Sequence, residues 1–160
     1  MKENVKSGLA LRMPAYGAEY LLFGALLAYG NRLQVLGDGF YTEVTTKQWF
    51  LLACLELFEA PPTLGEVAGA MGCSHQNAKQ LALKLAQKGY VLLRRDAADA
   101  RRTRVLPGPA AAALRENYRQ KQRAFMQALF AGVPQKDIKA ALDVIAKLDE
   151  NMRAMQEGEI

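Results

Sequence analysis

Apolar residues recur along much of the chain at the three-to-four-residue spacing of helices that bury one face. The first such stretch covers residues 14–36, with Pro14 in its first turn, and we expect Gly37 and Gly39 to break it. Two more stretches follow beyond residue 110, with a break around Gly132 and Pro134. The pattern therefore predicts long helices at both ends of the chain.

The middle of the chain predicts shorter helices with clear start and stop signals. Thr45 and Gln48 have the spacing of a capping box, as do Thr63 and Glu66. Ser74 is placed to cap a further helix that runs to about residue 88. The last two of these helices are separated by a tight turn that contains glycine, which indicates a helix-turn-helix motif.

A β-hairpin is predicted after the helix-turn-helix. Residues 90–95 and 103–106 read as its strands, and residues 96–100 as its tip. A helix-turn-helix followed by a hairpin is the order of a winged helix. The sequence thus predicts a mainly α fold with a small β-hairpin wing, in which a winged helix-turn-helix over residues 45–106 is flanked by terminal helices at 9–36 and 110–157.

Composition limits the classes of function. The chain has 160 residues, of which 51% are apolar and 23% charged, so it can form one folded domain with a buried core. Two cysteines and one histidine cannot supply a disulfide framework or a four-ligand zinc site. We find no nucleotide fingerprint or nucleophile elbow, no run long enough to span a bilayer, and no signal-peptide pattern. We therefore predict a cytoplasmic protein that is not an enzyme and uses no cofactor or metal.

The positive charge is concentrated in one segment. The net charge is +5, but residues 74–104 hold eight Lys and Arg against two Asp, and the rest of the chain is close to neutral. A basic patch beside a neutral body is the electrostatic footprint of a nucleic-acid binder. A solvated basic face would give the same charge pattern.

The helix after Ser74 separates into two faces. The packing face holds Ala78, Leu81, Ala82 and Leu85. The opposite face holds Gln76, Lys79, Gln80, Leu83 and Gln87, with Asn77 and Lys84 at its edge. Gln and Asn can bond adenine edges, and Lys can meet guanine or phosphate. Leu83 is the exception, and we expect it to pack on a neighbouring element rather than touch a thymine methyl.

At this point the sequence resembles a known family, the MarR (multiple antibiotic resistance regulator) winged-helix transcription factors. The resemblance rests on Thr45, Gln48, Leu51 and Leu52, on Thr63, Leu64, Glu66, Val67 and Ala68, on Ser74, His75, Gln76 and Asn77, on Lys88, Gly89, Tyr90 and Val91, and on residues 95–102 of the wing. Asp99 and Arg101 are similar to the family's Asp-x-Arg wing signature. One departure is Pro107-Gly108-Pro109-Ala110-Ala111, where the family has Leu-Thr and a later Gly.

The resemblance implies a homodimer that binds double-stranded DNA at a pseudo-palindromic operator, with interleaved terminal helices. Their exposed apolar stripes agree with a dimer. Arg101 becomes the wing arginine, oriented by Asp99 toward the minor groove; a surface ion pair is the plainer alternative. The DNA-binding residues are then Ser74, His75, Gln76, Asn77, Lys79, Gln80, Lys84, Arg95, Asp99, Arg101, Arg102 and Arg104.

Family members commonly respond to aromatic acids or other small apolar effectors. The candidate lining residues are Tyr16, Tyr20, Phe23, Tyr41, Trp49 and Phe50, although aromatics at helical spacing are more often ordinary core. Some relatives sense oxidants through cysteine, and Cys73 precedes a helix N-terminus, whereas we expect Cys54 to be buried core. We predict a ligand-released repressor; the alternatives are a redox-sensing regulator and a dimer that acts through small-molecule or protein contact.

Overall fold

The computed structural model describes residues 17–158, within which helices flank one β-hairpin. The elements are α1 (Ala18–Phe40), α2 (Thr46–Cys54), α3 (Leu64–Ala70), α4 (His75–Gln87), β1 (Val91–Arg95), β2 (Thr103–Pro107), α5 (Ala111–Leu129) and α6 (Gln135–Glu157), with a single 3-10 turn (Leu55–Leu57) after α2. This order confirms the mainly α fold with a two-stranded wing. The chain forms two compact units that divide after Leu114.

The first helix differs from the prediction at its end, because α1 continues through Gly37 and Gly39 to Phe40. A Cβ at Gly37 would lie 2.4 Å from the hydroxyl oxygen of Thr46, so glycine here permits close packing of α1 on α2. The Thr46 N–H donates to Asp38 Oδ1 over 2.7 Å, which lowers the pKa of that carboxyl. The predicted residues before Gly17, including Pro14, lie outside the described part of the chain.

The predicted helix caps are confirmed. Gln48 N–H donates to Thr45 Oγ1 over 3.3 Å, and Thr45 N–H donates to Gln48 Oε1 over 3.0 Å. The same reciprocal pair joins Thr63 and Glu66, at 3.3 Å and 2.6 Å. Ser74 Oγ accepts from the N–H of Asn77 over 3.2 Å. Each cap satisfies backbone donors that a helix leaves unpaired, so the starts of α2, α3 and α4 are set locally.

The core of the first unit lies under α4. Ala78, Ala82 and Leu85 are fully buried, and α4 packs on α2, α3 and β1. Burial of one such leucine contributes about 1.5–3 kcal/mol. On α2 the most buried side chain is Leu51, while Trp49 is only half-buried. The second helix ends at Cys54 and passes into the 3-10 turn Leu55–Leu57, before the helix-breaking prolines at 61 and 62.

The hairpin is antiparallel, with Val91 opposite Pro107. At the end of β2 the unusual Pro-Gly-Pro joint lies close to the start of the hairpin: Gly108 N–H donates to Tyr90 O over 2.9 Å, and Ala110 N–H donates to Gly89 O over 3.2 Å. A Cβ at Gly108 would lie 2.2 Å from the Gly89 carbonyl oxygen. The departure from the family pattern is therefore accommodated by a residue without a side chain.

The terminal helices expose apolar side chains. In α6 no residue is buried, and Leu142 is 60% and Met152 53% exposed. In α1, Phe23 and Leu27 are similarly exposed at 65% and 60%. Among residues 17–158, no helix is both long and apolar enough to cross a membrane.

Candidate nucleic-acid interface

The outer face of α4 is polar, basic and exposed. Gln76, Asn77, Lys79, Gln80 and Lys84 are all exposed, opposite the buried face of the same helix, as the sequence predicts. No acidic residue occurs in α4. The cap Ser74 and the first helical residue, His75, are exposed as well. The helix therefore presents amide and ammonium groups on a surface with no competing carboxylate of its own.

Leu83 is an exception to the expected packing. It lies on the same outer face and is 39% exposed. An exposed leucine among amides and lysines is available for an apolar contact, such as the methyl group of a thymine.

A cleft of about 350 Å³ joins the start of α3, the first half of α4 and the wing. Three cationic side chains line it, Lys79, Arg101 and Arg102, together with the imidazole of His75. Its remaining lining comes from Thr63, Leu64, Gly65 and Thr103. The fold thus gathers cations from two separate elements at one concave surface. Such donors suit the oxygens of a phosphodiester group.

The wing tip holds the predicted Asp-x-Arg contact. Asp99 Oδ1 accepts from Arg101 Nε over 3.1 Å and from the Arg101 N–H over 3.0 Å. Arg102 Nε lies 3.4 Å from Asp99 Oδ2. These bonds lower the pKa of the Asp99 carboxyl, with the Arg101 side chain as the largest cause. The Arg101 side chain is nevertheless 92% exposed, so it is oriented at its Nε while it projects into solvent.

Arg104 is held by hydrogen bonds within the protein, whereas Arg95 is exposed on the wing. The guanidinium of Arg104 bonds Asp96 Oδ2 through Nε and the carbonyl oxygen of Pro61 through Nη1. Arg95 ends β1, is exposed, and lines a separate cavity of about 330 Å³ on the wing with Arg94. The guanidinium of Arg104 is therefore directed at groups of the protein itself, whereas Arg101 and Arg102 extend into solvent from the wing tip.

A larger cavity, of about 680 Å³, lies between α1, α2 and the turn before α4. It is lined by Gly30, Leu33, Gln34, Thr46, Lys47, Phe50, Met71, Gly72, Cys73 and Asn77. Of the predicted effector-site aromatics that lie within residues 17–158, only Phe50 is among them. The other lining residues could not be predicted from the sequence, because helical spacing does not reveal which face of α1 meets the turn before α4.

The other predicted aromatics are dispersed. Tyr41 and Trp49 stack with ring centroids 4.9 Å apart, and Tyr41 lines another cavity of about 350 Å³. Tyr20 and Phe23 are each 65% exposed on α1. Tyr16 lies outside the described residues. The five described aromatics do not form one site.

The two cysteines differ in environment. Cys54 is 1% exposed, as expected for core, and burial raises the pKa of its thiol. Cys73 is half-buried and lines the 680 Å³ cavity. Within residues 17–158, no three His, Cys, Asp or Glu side chains are grouped in a way that could hold a metal ion.

No protein-family model matches the chain, and no curated protein matches it. Solved structures do match. A MarR/EmrR family transcriptional regulator from Acinetobacter sp. ADP1 has a TM-score of 0.74 at 13% identity, covering 86% of this chain and 99% of its own. PcaV, a transcriptional regulator from Streptomyces coelicolor solved with its natural ligand, has a TM-score of 0.70 at 16% identity, covering 86% and 98%.

A third neighbour is BpsR from Bordetella bronchiseptica, whose DNA binding is regulated by 6-hydroxynicotinic acid. It has a TM-score of 0.65 at 20% identity, covering 80% of this chain and 98% of its own. The chain has the MarR fold. Because nearly the whole length of each neighbour is matched, the MarR fold here includes terminal helices as well as the winged helix.

Proposed function

We propose that the protein is a homodimeric regulator of transcription that binds double-stranded DNA sequence-specifically. The observation that carries the proposal is the exposed cationic surface formed by α4 and the wing tip, with Arg101 oriented by Asp99. The MarR fold supports it, because its structural neighbours include transcriptional regulators. The concentration of positive charge in residues 74–104 supports it independently.

In this proposal α4 enters the major groove. Gln76, Asn77 and Gln80 are suited to adenine edges, while Lys79 and Lys84 meet guanine or phosphate. Ser74 caps the helix and, together with His75, lies where the backbone of the duplex passes. Arg101 enters the minor groove, where the narrow groove's negative potential favours arginine.

The remaining wing residues have supporting roles. Arg102 shares the 350 Å³ cleft with Lys79 and meets a phosphate there. Arg95 adds positive charge along β1. These contacts position the protein without reading sequence, so their loss should weaken binding to all duplexes alike.

The proposed homodimer is supported by the apolar faces of the terminal helices. Side chains such as Phe23, Leu27, Leu142 and Met152 are more than half exposed. Apolar stripes of this kind are rare on monomers and are buried by a second copy in symmetric dimers. Two winged helices related by a two-fold axis would bind a pseudo-palindromic operator.

The effector proposal rests on the 680 Å³ cavity, whose volume is in the range of small-molecule sites. Phe50, Leu33 and Met71 give it an apolar wall, and Lys47 gives it a cation. Because Asn77 of α4 also lines it, an occupant would contact the start of the DNA-reading helix. We propose a small aromatic or apolar effector that releases a repressor. The molecule that regulates DNA binding by BpsR, 6-hydroxynicotinic acid, is a small aromatic compound.

A second candidate is redox control through Cys73, favoured by its place in the same cavity next to α4. Mild peroxide treatment should then change the affinity for the operator, and Cys73→Ser should abolish the change. An unchanged affinity after treatment would eliminate this candidate.

The test is fluorescence anisotropy with duplex DNA from upstream of the protein's own gene, against a scrambled duplex, across a salt series. We expect nanomolar specific binding with a steep salt slope, weakened strongly by Arg101→Ala. Equal and weak binding to both duplexes would argue against this operator. No binding at low salt would overturn the DNA-binding function and favour a dimer that acts through protein contact. Fractionation should find the protein in the cytoplasm.

A further inference from the structure

Asp96 is an unusual carboxylate at the base of the wing loop, because it is only 6% exposed. Its Oδ1 accepts from the N–H of Ala98 over 2.8 Å and from the N–H of Asp99 over 2.9 Å. Its Oδ2 accepts from Arg104 Nε. These bonds, led by the one from the Asp99 backbone, lower the pKa of Asp96, so the group is ionised wherever the protein is folded at neutral pH.

Arg104 connects this carboxylate to the helix-turn-helix. Its Nη1 donates to the carbonyl oxygen of Pro61, which is 43 residues away in sequence. The next residue of β2 continues the attachment, since Val105 N–H donates to Pro62 O over 2.8 Å. The backbone of Arg104 also forms an isolated antiparallel β-bridge with Thr63, the N-cap of α3. The guanidinium thus ties the wing to the segment that leads into α3.

The polar path continues from this tie to the wing tip. The Asp96 carboxylate accepts a hydrogen bond from the backbone N–H of Asp99, and the Asp99 carboxylate accepts one from Arg101 Nε. A chain of hydrogen bonds therefore runs from Pro61 through Arg104, Asp96 and Asp99 to the exposed arginine. Each link is charge-assisted, because either the donor or the acceptor is ionised, and such hydrogen bonds are stronger than those between neutral groups.

We propose that Asp96 and Arg104 are positioning residues, which fix the wing to the helix-turn-helix and so set where Arg101 stands relative to α4. This inference rests on the proposed DNA-binding function and changes the role of Arg104, which acts through Asp96 and Pro61 instead of contacting the duplex. A lysine cannot replace it, because the tie uses two nitrogens of the planar guanidinium for acceptors on two different segments.

The test uses a substitution whose charge effect opposes the expected result. Asp96→Asn raises the net charge by one, so simple electrostatics predicts tighter DNA binding. The positioning role predicts operator binding about tenfold weaker, the loss expected when one wing arginine contact is removed. Glu59→Gln is the matched control, since it makes the same charge change at an exposed position of the same unit.

A second variant separates positioning from charge. Arg104→Lys keeps the positive charge and should lose affinity about as much as Asp96→Asn, with the scrambled duplex bound as before. If Arg104 were a phosphate contact, lysine would preserve binding. Operator affinities of Asp96→Asn and Arg104→Lys equal to that of Glu59→Gln would overturn the proposal.

Amide hydrogen exchange of the free protein provides a readout that needs no DNA. We expect both variants to lose protection at residues 98–102 while α4 keeps its own protection, which also shows that the variants fold. Unchanged protection at the wing would overturn the positioning role. Because exchange is measured without a duplex, failure of wild-type DNA binding would refute the proposed function separately.

Discussion

Replacement of Gly108 by alanine tests the close contact that joins the wing to α5. The added Cβ would lie 2.2 Å from the carbonyl oxygen of Gly89 and 2.9 Å from the carbonyl carbon of Tyr90. Both atoms belong to the backbone, and Gly108 itself is tied to Tyr90 O by a 2.9 Å hydrogen bond. Neither side can move without loss of that bond, in contrast to a clash with a flexible side chain.

The expected cost of Gly108→Ala is that of overpacking against fixed atoms, about 1–3 kcal/mol of unfolding free energy. For a chain of this size, that corresponds to a fall in Tm of about 2–12 °C. Urea unfolding at constant protein concentration measures the free energy, and a thermal scan measures Tm. The matched control is Gly69→Ala in α3, where a Cβ would meet no atom within 4 Å. Removal of that helix glycine should stabilise the protein by about 0.5–1 kcal/mol. Unfolding of Gly108→Ala at the same urea concentration as wild type would show that the contact with Gly89 is not close enough to exclude a side chain.

Three further predictions concern pH, core and assembly. The carboxylate of Glu66 accepts hydrogen bonds from Thr63, and these lower the pKa of Glu66 below its ordinary 4.5. The stabilisation that they provide is therefore complete above about pH 4.5 and is lost as the pH falls through the lowered pKa. Glu66→Gln should accordingly show a smaller loss of Tm on acidification than wild type. Leu85→Ala, at a fully buried position, should lower the unfolding free energy by about 2–5 kcal/mol in urea titrations, and a loss below about 1 kcal/mol would contradict the packing described. Ile145→Asp should convert a dimer to a monomer in light scattering, whereas Ala146→Asp, on the polar side of α6, should not; equal behaviour of the two would refute the role of the apolar stripe.

Local chemistry made the helix starts of the winged helix predictable. Each cap joins residues three apart, so Thr45, Thr63 and Ser74 could be recognised from sequence spacing alone. The end of α1 could not be predicted in this way. Glycine commonly ends a helix, but Gly37 lies within α1, where it makes room for Thr46 of α2. That role depends on how the two helices pack, which local sequence does not reveal.

The same distinction applies to the candidate interface. The exposed face of α4 follows from helical periodicity, and the contact between Asp99 and Arg101 spans two residues. The setting of Arg104 depends on Pro61, which no pattern near the wing reveals. The lining of the large cavity likewise depends on which face of α1 meets Met71 and Cys73.

Selection from a random duplex pool is the most direct test of sequence-specific DNA binding by a two-fold symmetric protein. Wild-type protein and Arg101→Ala would be carried through repeated rounds of binding at physiological salt, and the recovered duplexes sequenced. We expect wild type to enrich one motif with two inverted half-sites whose centres lie about 10 base pairs apart or a multiple of that distance. Arg101→Ala should enrich the same motif more weakly. A pool that stays unenriched with the wild-type protein would contradict sequence-specific binding.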